Sequence, residues 1–430
     1  MTAHDTHRAI EATFRIERAR LVAGLVRLVR SIDRAEELAQ DALVIALDTW
    51  PRSGVPGNPG AWLMTAARRR AIDAIRHDRM RQRKQAEIAH SLDQAAGDAA
   101  EAIEAGLGDD PADNLGDELL GLIFAACHPM LSADARAALT LRVVGGLSID
   151  EIARAFLANE AAIAKRIVRA KQAIARAGLR FEVPRGSERV ARLPSVLEVI
   201  YLIFNEGYAA TAGEDPIRPG LCLEAQRLGR ILAGLLPDDP EVLGLLALME
   251  FQASRLAARR GADGALVPLT EQDRTHWDQL LIRRGLEAMA RIELLGPGPG
   301  GWGPYVLQAA LAACHARARS AAETDWPRIA GLYDGLRLVM PSPVVALNRA
   351  IAHSMAYGPE TGLQLLDQLA GEPVLRDYAP LPAARGDVLF RAGRLAEART
   401  EFEAAARLTR NAEEAAFLRG RARACAVSAP

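Results

Sequence analysis

Two stretches of the chain have the residue types and spacing to hold a polyanion. Between Arg68 and Lys84 there are eight basic residues against Asp73 and Asp78. Arg69, Arg76 and Arg83 recur every seven residues, so on a helix they form one stripe, with Arg79 beside it. A stripe this dense attracts phosphates by releasing condensed counterions. Trp62, just upstream, could stack on an unpaired base or fill a core. The second stretch, Ser148 to Gly178, places Lys165, Arg166, Arg169 and Arg176 opposite an apolar series. Catalytic signatures are missing. His128, His276, His315 and His353 fall in no HExxH, and neither GxSxG nor GxxxxGK[ST] occurs. Gly296–Gly303 has prolines among its glycines and no following Lys-Ser/Thr, so it reads as a hairpin loop. The four cysteines form no CxxC, and the adjacent Cys127-His128 and Cys314-His315 lack the ligand gap of a zinc site. The expectation is reduced, buried thiols, no metal, no cofactor and no enzyme activity.

The elements that position these residues are helices. Ile10, Phe14, Leu21, Leu25, Leu28 and Ile32 recur at helical intervals. Asp33 with Glu36 reads as a capping box for a second helix, closed by Trp50-Pro51. The Gly/Pro-rich stretch Arg52–Gly60 is a loop, and a helix runs from Ala61 to about Lys84 with Leu63, Ala67, Ala71, Ala74 and Ile75 inward. Ser148-Ile-Asp-Glu151 is a capping box opening a short helix that buries Ile152, Ala153 and Phe156. After a turn near Leu157–Asn159, a second helix buries Ile163, Ile167, Ala170 and Ile174. This is a helix-turn-helix with a cationic outer face suited to the major groove, although its turn lacks the usual glycine.

Composition bounds the rest. The chain has 430 residues, half of them hydrophobic and only 5% aromatic, which fits a globular, helix-rich protein and excludes wholesale disorder. No run of about 20 apolar residues and no secretory h-region is seen, so a cytoplasmic protein without membrane spans is expected. Of 53 basic residues only three are lysines, which reflects either codon usage or a demand for guanidinium forks that grip phosphates. The net charge of -1 argues against a nucleic-acid partner until it is divided along the chain. Residues 1–84 hold 16 basic and 10 acidic groups. Residues 85–120 hold ten acids and no Lys or Arg. Residues 121–185 hold 10 basic and 5 acidic groups. Residues 186–430 are nearly neutral, with 27 and 29. The order is therefore cationic, anionic, cationic, neutral. The acidic block, with Gly97, Gly106, Gly108 and Asp109-Asp110-Pro111, reads as a loosely ordered tether.

Beyond residue 190 the pattern is Ala/Leu-rich helices broken at Pro237–Pro240, Gly296–Gly303 and Pro341–Pro343. Gly386, Leu389, Gly393, Ala398, Phe402 and Ala405 have the spacing of a 34-residue helical-hairpin repeat, and Val344–Leu369 is a weaker copy. One hairpin cannot bury its own face, so neighbours must stack on it.

Taken together, these segments resemble an extracytoplasmic-function (ECF) sigma factor of bacterial RNA polymerase. Asp33-Arg-Ala-Glu-Glu-Leu-Ala-Gln-Asp-Ala42 resembles the region 2 helix that docks on the polymerase clamp. Ala61-Trp-Leu through Arg76 resembles the helix that melts and reads the -10 element. Ser148–Lys171 resembles the -35-reading helix-turn-helix of region 4. Tyr201–Tyr208, Gln272–Trp277, Gly303–Ala310 and Pro341–Asn348 are similar to the extension of ECF sigma factors that carry a C-terminal tetratricopeptide-like (TPR) domain.

The resemblance implies an all-α chain in four parts: region 2 (1–84), acidic linker (85–120), region 4 (121–185) and TPR-like extension (186–430). It implies core RNA polymerase and promoter DNA as partners, and a possible protein partner of the extension. It places Asp33, Glu36, Glu37, Gln40 and Asp41 on the polymerase clamp. Trp62, Arg68, Arg69, Arg76 and Arg79 fall on the -10 strand, with a flipped base near the loop Arg52–Gly60. Asn159, Lys165, Arg166 and Arg169 fall on the -35 duplex. The acidic linker would run through the polymerase's cationic RNA path and screen the basic blocks of the free chain. Asn205, Glu206, Tyr208, Asp273, Arg274 and Trp277 mark the extension without a stated role; they would form a polar pocket, or an internal salt bridge and turn that brace the extension. The rival from within the sequence is a polymerase-independent helix-turn-helix regulator with a helical sensor domain.

Overall fold

Every regular element among the described residues is a helix. A computed structural model describes residues 3–88, 115–156, 158–208, 219–259, 261, 267–409 and 412–427. The chain divides into two compact units, Met1–Leu235 and Leu236–Pro430.

The first unit begins with α1 (Ala3–Val29), α2 (Ile32–Ser53) and α3 (Pro59–Ile88). These three pack on one another, with Leu21, Val22, Leu25, Val26, Leu38, Ala42, Trp50, Leu63 and Ala67 buried between them. Full burial of a Leu or Val side chain contributes about 1.5–3 kcal/mol, so this apolar seam dominates the assembly. Three local expectations are corrected. The N-cap of α2 is Ser31, whose hydroxyl accepts from Arg34 N at 3.3 Å; Asp33 lies inside the first turn and Glu36 turns elsewhere. Pro51 does not stop α2. At the end of a helix it removes only one amide donor, and the turn closes instead at Gly54, at φ +83, whose amide bonds Trp50 O at 2.9 Å. The acidic block is also narrower than its charge suggested. Residues 85–88 finish α3, while residues 115–120 begin α4 (Leu115–Ala126), because Leu119, Leu120, Leu122 and Ile123 have a core to enter. The middle of the expected tether, 89–114, lies outside the described residues.

α5 (Ala133–Val143), α6 (Ile149–Ala155) and α7 (Glu160–Arg176) follow. Both halves of the Ser148 capping box are made: Glu151 N to Ser148 Oγ at 3.1 Å and Ser148 N to Glu151 Oε2 at 2.7 Å. Helix α7 buries Ile163, Ile167, Ala170 and Ile174, the four residues its periodicity selects. Leu157 lies outside the described residues.

The first unit does not end at residue 185. Helices α8 (Gly186–Tyr208) and α9 (Pro219–Leu235) belong to it. Polar bonds tie α8 down. Ser195 Oγ donates to Cys127 O at 2.6 Å, Arg192 to Phe124 O at 2.8 Å, and Arg136 reaches both Ser195 and Glu198.

The second unit holds α10 (Pro240–Ser254), α11 (Gln279–Leu295), α12 (Pro304–Arg317) and α13 (Trp326–Val339). It continues through α14 (Pro343–Tyr357), α15 (Pro359–Asp367), α16 (Pro380–Arg391), α17 (Leu395–Leu408) and α18 (Ala412–Val427). From α13 onward each helix packs on its successor. In the α16–α17 hairpin, Phe402 lies where a Cβ on Gly386 would come within 2.9 Å of its ring. Leu389, Ala398 and Ala405 are buried around it. Arg421 of α18 covers the rings of Phe390 and Phe402 at 5.3 and 5.0 Å and pairs with Asp387 at 2.7 Å. The four cysteines are free thiols, all buried.

α10 and α12 approach so closely that a Cβ on Gly244 would sit 2.7 Å from Val306 N and 2.9 Å from Tyr305 C. Backbone atoms cannot rotate away as a side chain can. Gly244→Ala is therefore expected to cost about 1–3 kcal/mol despite its helix-favouring Cβ. A lowered urea midpoint for the second unit checks this, and an unchanged or raised midpoint contradicts it.

Candidate nucleic-acid interface

On α7 the buried apolar residues fix the rotation of the helix, and its cationic side follows from that. Lys165 and Arg169 are exposed. Arg166 is half-buried and pairs loosely with Asp134 at 3.5 Å. Asn159 is the N-cap, its Oδ1 accepting from Ala161 N at 2.8 Å, so it orients the helix start as well as standing at its exposed tip. The free amides and the dipole of that end favour an anion such as a phosphate.

The five residues expected on the -10 strand separate. Arg69 and Arg76 are exposed along α3, and Arg79 is half-buried on the same helix. Arg68 turns inward: its side chain is 19% exposed and lies 3.8 Å from Glu118 of α4. Arg27 approaches the same carboxylate at 3.7 Å. Burial pushes the Glu118 carboxyl above the usual carboxylate range, against the pull of Arg68 and Arg27. Trp62 is half-buried and meets the buried Trp50 edge-on, centroids 5.3 Å apart at 70°. One edge of Trp62 thus serves the core.

The acidic residues of α2 also divide. Glu37, Gln40 and Asp41 are exposed, with Glu37 paired to Arg34 at 3.1 Å. Together with Arg34, Arg70, Asp73 and His77, Glu37 and Asp41 line a shallow groove of about 550 Å³ between α2 and α3. Glu36 is a hub. Arg18 reaches it at 2.5 Å, Lys171 of α7 at 2.5 Å and Arg142 of α5 at 3.5 Å. Lys171 also bonds Asp33 at 2.7 Å. Sequence reading missed Arg18, Arg142, Lys171 and Glu118. The available signal was a charge in a core register: Arg18 precedes Leu21, Val22 and Leu25 by helical steps, and Glu118 opens the run Leu119–Phe124.

The extension residues fall in different units, Asn205, Glu206 and Tyr208 in the first, Asp273, Arg274 and Trp277 in the second. Tyr208 stacks on Phe204 at 5.7 Å. Asp273 caps a short 3-10 turn, accepting from Thr275 N at 2.9 Å. Arg274 is buried and donates to the carbonyls of His315 and Ala318, each at 2.8 Å, and to Thr324 Oγ1 at 2.9 Å. Its guanidinium lies 5.1 Å from the ring centre of the buried Trp277. Here the motif is an internal brace built from carbonyls rather than a salt bridge.

His315 is part of that brace. Burial, reinforced by Arg255 and Arg274, lowers its pKa to about 4. Unfolded, it titrates near 6.5, so below that pH the unfolded chain binds the extra proton. Stability present above about pH 6.5 is lost as pH falls through 4, by about 3 kcal/mol at most. His315→Gln should remove this acid sensitivity. Urea midpoints measured from pH 7 to pH 4 check it; equal slopes for both chains would refute the assignment.

Among the described residues no cluster of three or more His, Cys, Asp or Glu side chains is placed to hold a metal, and no helix is long and apolar enough to cross a membrane.

Comparison with known proteins matches residues 14–81 to the family model for sigma-70 region 2 and residues 122–174 to that for sigma-70 region 4. Residues 192–293 match a family of unknown function, DUF6596, which spans the end of the first unit and the start of the second. An uncharacterised protein of Rhizobium meliloti (strain 1021) is 42% identical over 403 residues, covering 94% of this chain and 92% of its own. The ECF RNA polymerase sigma factor SigK of Mycobacterium sp. (strain KMS) is 28% identical over 167 residues, 37% of this chain and 77% of that protein. The helical pairs that position α3 and α7 are the same segments that these models cover. The chain belongs to the sigma-70 family: it is an ECF-type sigma factor for transcription initiation, with regions 2 and 4 followed by a DUF6596-containing extension.

Proposed function

We propose that α2 docks core RNA polymerase, that α3 captures and helps melt the -10 element, and that α7 reads the -35 element in the major groove. The observation that carries this reading is the presence in one chain of two cationic helices, each anchored by its own apolar seam, beside an acidic helix that has no nucleic acid to attract. Arg69, Arg76 and Arg79 serve the displaced strand, and the half-exposed ring of Trp62 stacks on a flipped base. Lys165, Arg166 and Arg169 grip the duplex, positioned by Asn159. The acidic run between α3 and α4, residues 89–114, follows the cationic RNA path of the polymerase. The extension is TPR-like and regulates the factor, through the first unit or through a protein partner.

Runoff transcription with core polymerase on genomic templates tests the whole reading. Promoter-specific transcripts that need both core and this chain are the expected result. Specific DNA binding without any transcript would favour a polymerase-independent regulator. The role of the extension is tested by truncation after Leu235, because a cut after Arg185 would strip α8 and α9 from the core of the first unit.

A further inference from the structure

A cleft of about 900 Å³ opens in the first unit. Its walls are the end of α1, the start of α4 and the segment 178–186 that joins α7 to α8. None of the residues assigned to polymerase or to the two promoter elements lines it. Five arginines and three carboxylates do, which gives a net charge of +2 with His128 neutral. Two of the arginines are engaged. Arg27 approaches Glu118 at 3.7 Å, and Arg192 pairs with Glu188 at 3.0 Å and donates to Phe124 O at 2.8 Å. The other three, Arg180, Arg185 and Arg189, are exposed and form no ion pair among the described residues.

We propose that this cleft binds a small ligand by its polyphosphate chain, and that the ligand class is a nucleoside polyphosphate. The inference is independent of the sigma reading, since it uses none of the residues on which that reading stands.

Three observations support it. The first is the spacing of like charges. Arg185, Arg189 and Arg192 follow one another by four and three residues, so they share one face at the start of α8. Like charges at these steps destabilise a helix, and an anion between them reverses the sign. The N-terminal end of α8 adds its dipole to the same field. The second is Arg192 itself. Its side chain is only 13% exposed, and its buried Nε has no hydrogen-bond partner among the described residues. A buried guanidinium with a donor to spare suits an acceptor entering from the cleft. The third is size. About 900 Å³ is the volume of a sphere roughly 12 Å across, within the range of small-molecule sites. That is far more than one phosphate fills and too narrow to admit a duplex. Leu179 and Val183, half-buried on the same wall, give the apolar face of a base a surface to lie on.

Titration calorimetry on the full chain tests the site, in magnesium-free buffer at about 0.15 M salt, where loose surface attraction is screened beyond ~8 Å. The probes are ATP, AMP and inorganic tripolyphosphate. ATP should bind at least about tenfold tighter than AMP, because the phosphate chain carries the contacts. Tripolyphosphate weaker than ATP assigns the rest of the affinity to the nucleoside; tripolyphosphate equal to ATP keeps the polyphosphate site and overturns the nucleoside. The double variant Arg185→Glu/Arg189→Glu should weaken ATP at least about tenfold with an unchanged melting temperature, since Glu is favourable at a helix start. Arg180→Glu, which lies outside the helix, should weaken it in the same direction and keeps the test open if the double variant misfolds. Arg69→Glu on α3 should leave ATP binding unchanged. Equal losses with Arg69→Glu would show general adhesion of polyanions to cationic helices and would overturn the proposal. So would ATP and AMP of equal affinity, no ATP binding, or variants that lose affinity for duplex DNA and none for ATP.

Discussion

Replacing both Lys165 and Arg169 by Glu is expected to cut promoter-directed transcription by at least about 100-fold and to leave thermal stability unchanged. Each contact of this kind is worth about 1–3 kcal/mol, and reversal turns two attractions into two repulsions beside a phosphate backbone. The fold should not notice, because α7 is held by Ile163, Ile167, Ala170 and Ile174 on the opposite side. Both Lys165 and Arg169 are exposed on α7. The milder pair Lys165→Ala and Arg169→Ala should lower the slope of log affinity against log salt by about two. Runoff transcription, a salt series of promoter binding and a melting curve measure the three quantities. Transcription within twofold of wild type would show that α7 does not read the duplex.

Arg274→Ala is expected to destabilise the second unit by about 3–5 kcal/mol. The guanidinium satisfies two carbonyls and a hydroxyl, at 2.8, 2.8 and 2.9 Å, where water has little access. Losing one buried hydrogen-bond partner costs about 1–3 kcal/mol for each group left unsatisfied, and the stacked face over Trp277 is lost as well. Arg274→Lys should not rescue it, since an ammonium cannot present a planar fork to three separated acceptors while lying on an indole. Hydrogen exchange along a urea series reads the second unit in α10 to α18 and the first in α1 to α9. A loss below about 1 kcal/mol for Arg274→Ala would mean that solvent reaches these carbonyls after all.

Secondary structure was legible wherever burial enforces a period. The four inward residues of α7, the Ser148 box and the Gly386–Phe402 hairpin follow from spacing alone, because a helix that misplaces them exposes its apolar stripe. Helix ends were less legible. Pro51 and Asp33 looked like boundaries by type, but Ser31 and Gly54 supply the hydrogen bonds that end the helix. The acidic block looked like one tether by charge, yet the leucines after Asp117 had a core to join.

The amino-acid sequence by itself determined the all-α class, the order of cationic and anionic blocks and the rotation of the cationic helix α7, since these depend on local period and charge. Only the tertiary structure decided which charges are spent inside the protein. Arg68 and Lys171 belong to cationic segments by sequence, but Glu118 and Glu36 lie 50 and 135 positions away along the chain. Nothing in a linear pattern brings such groups within 4 Å of each other. Packing of the apolar seams does, and a half-buried carboxylate then demands a partner, because leaving it unpaired away from water costs more than ordering a distant lysine.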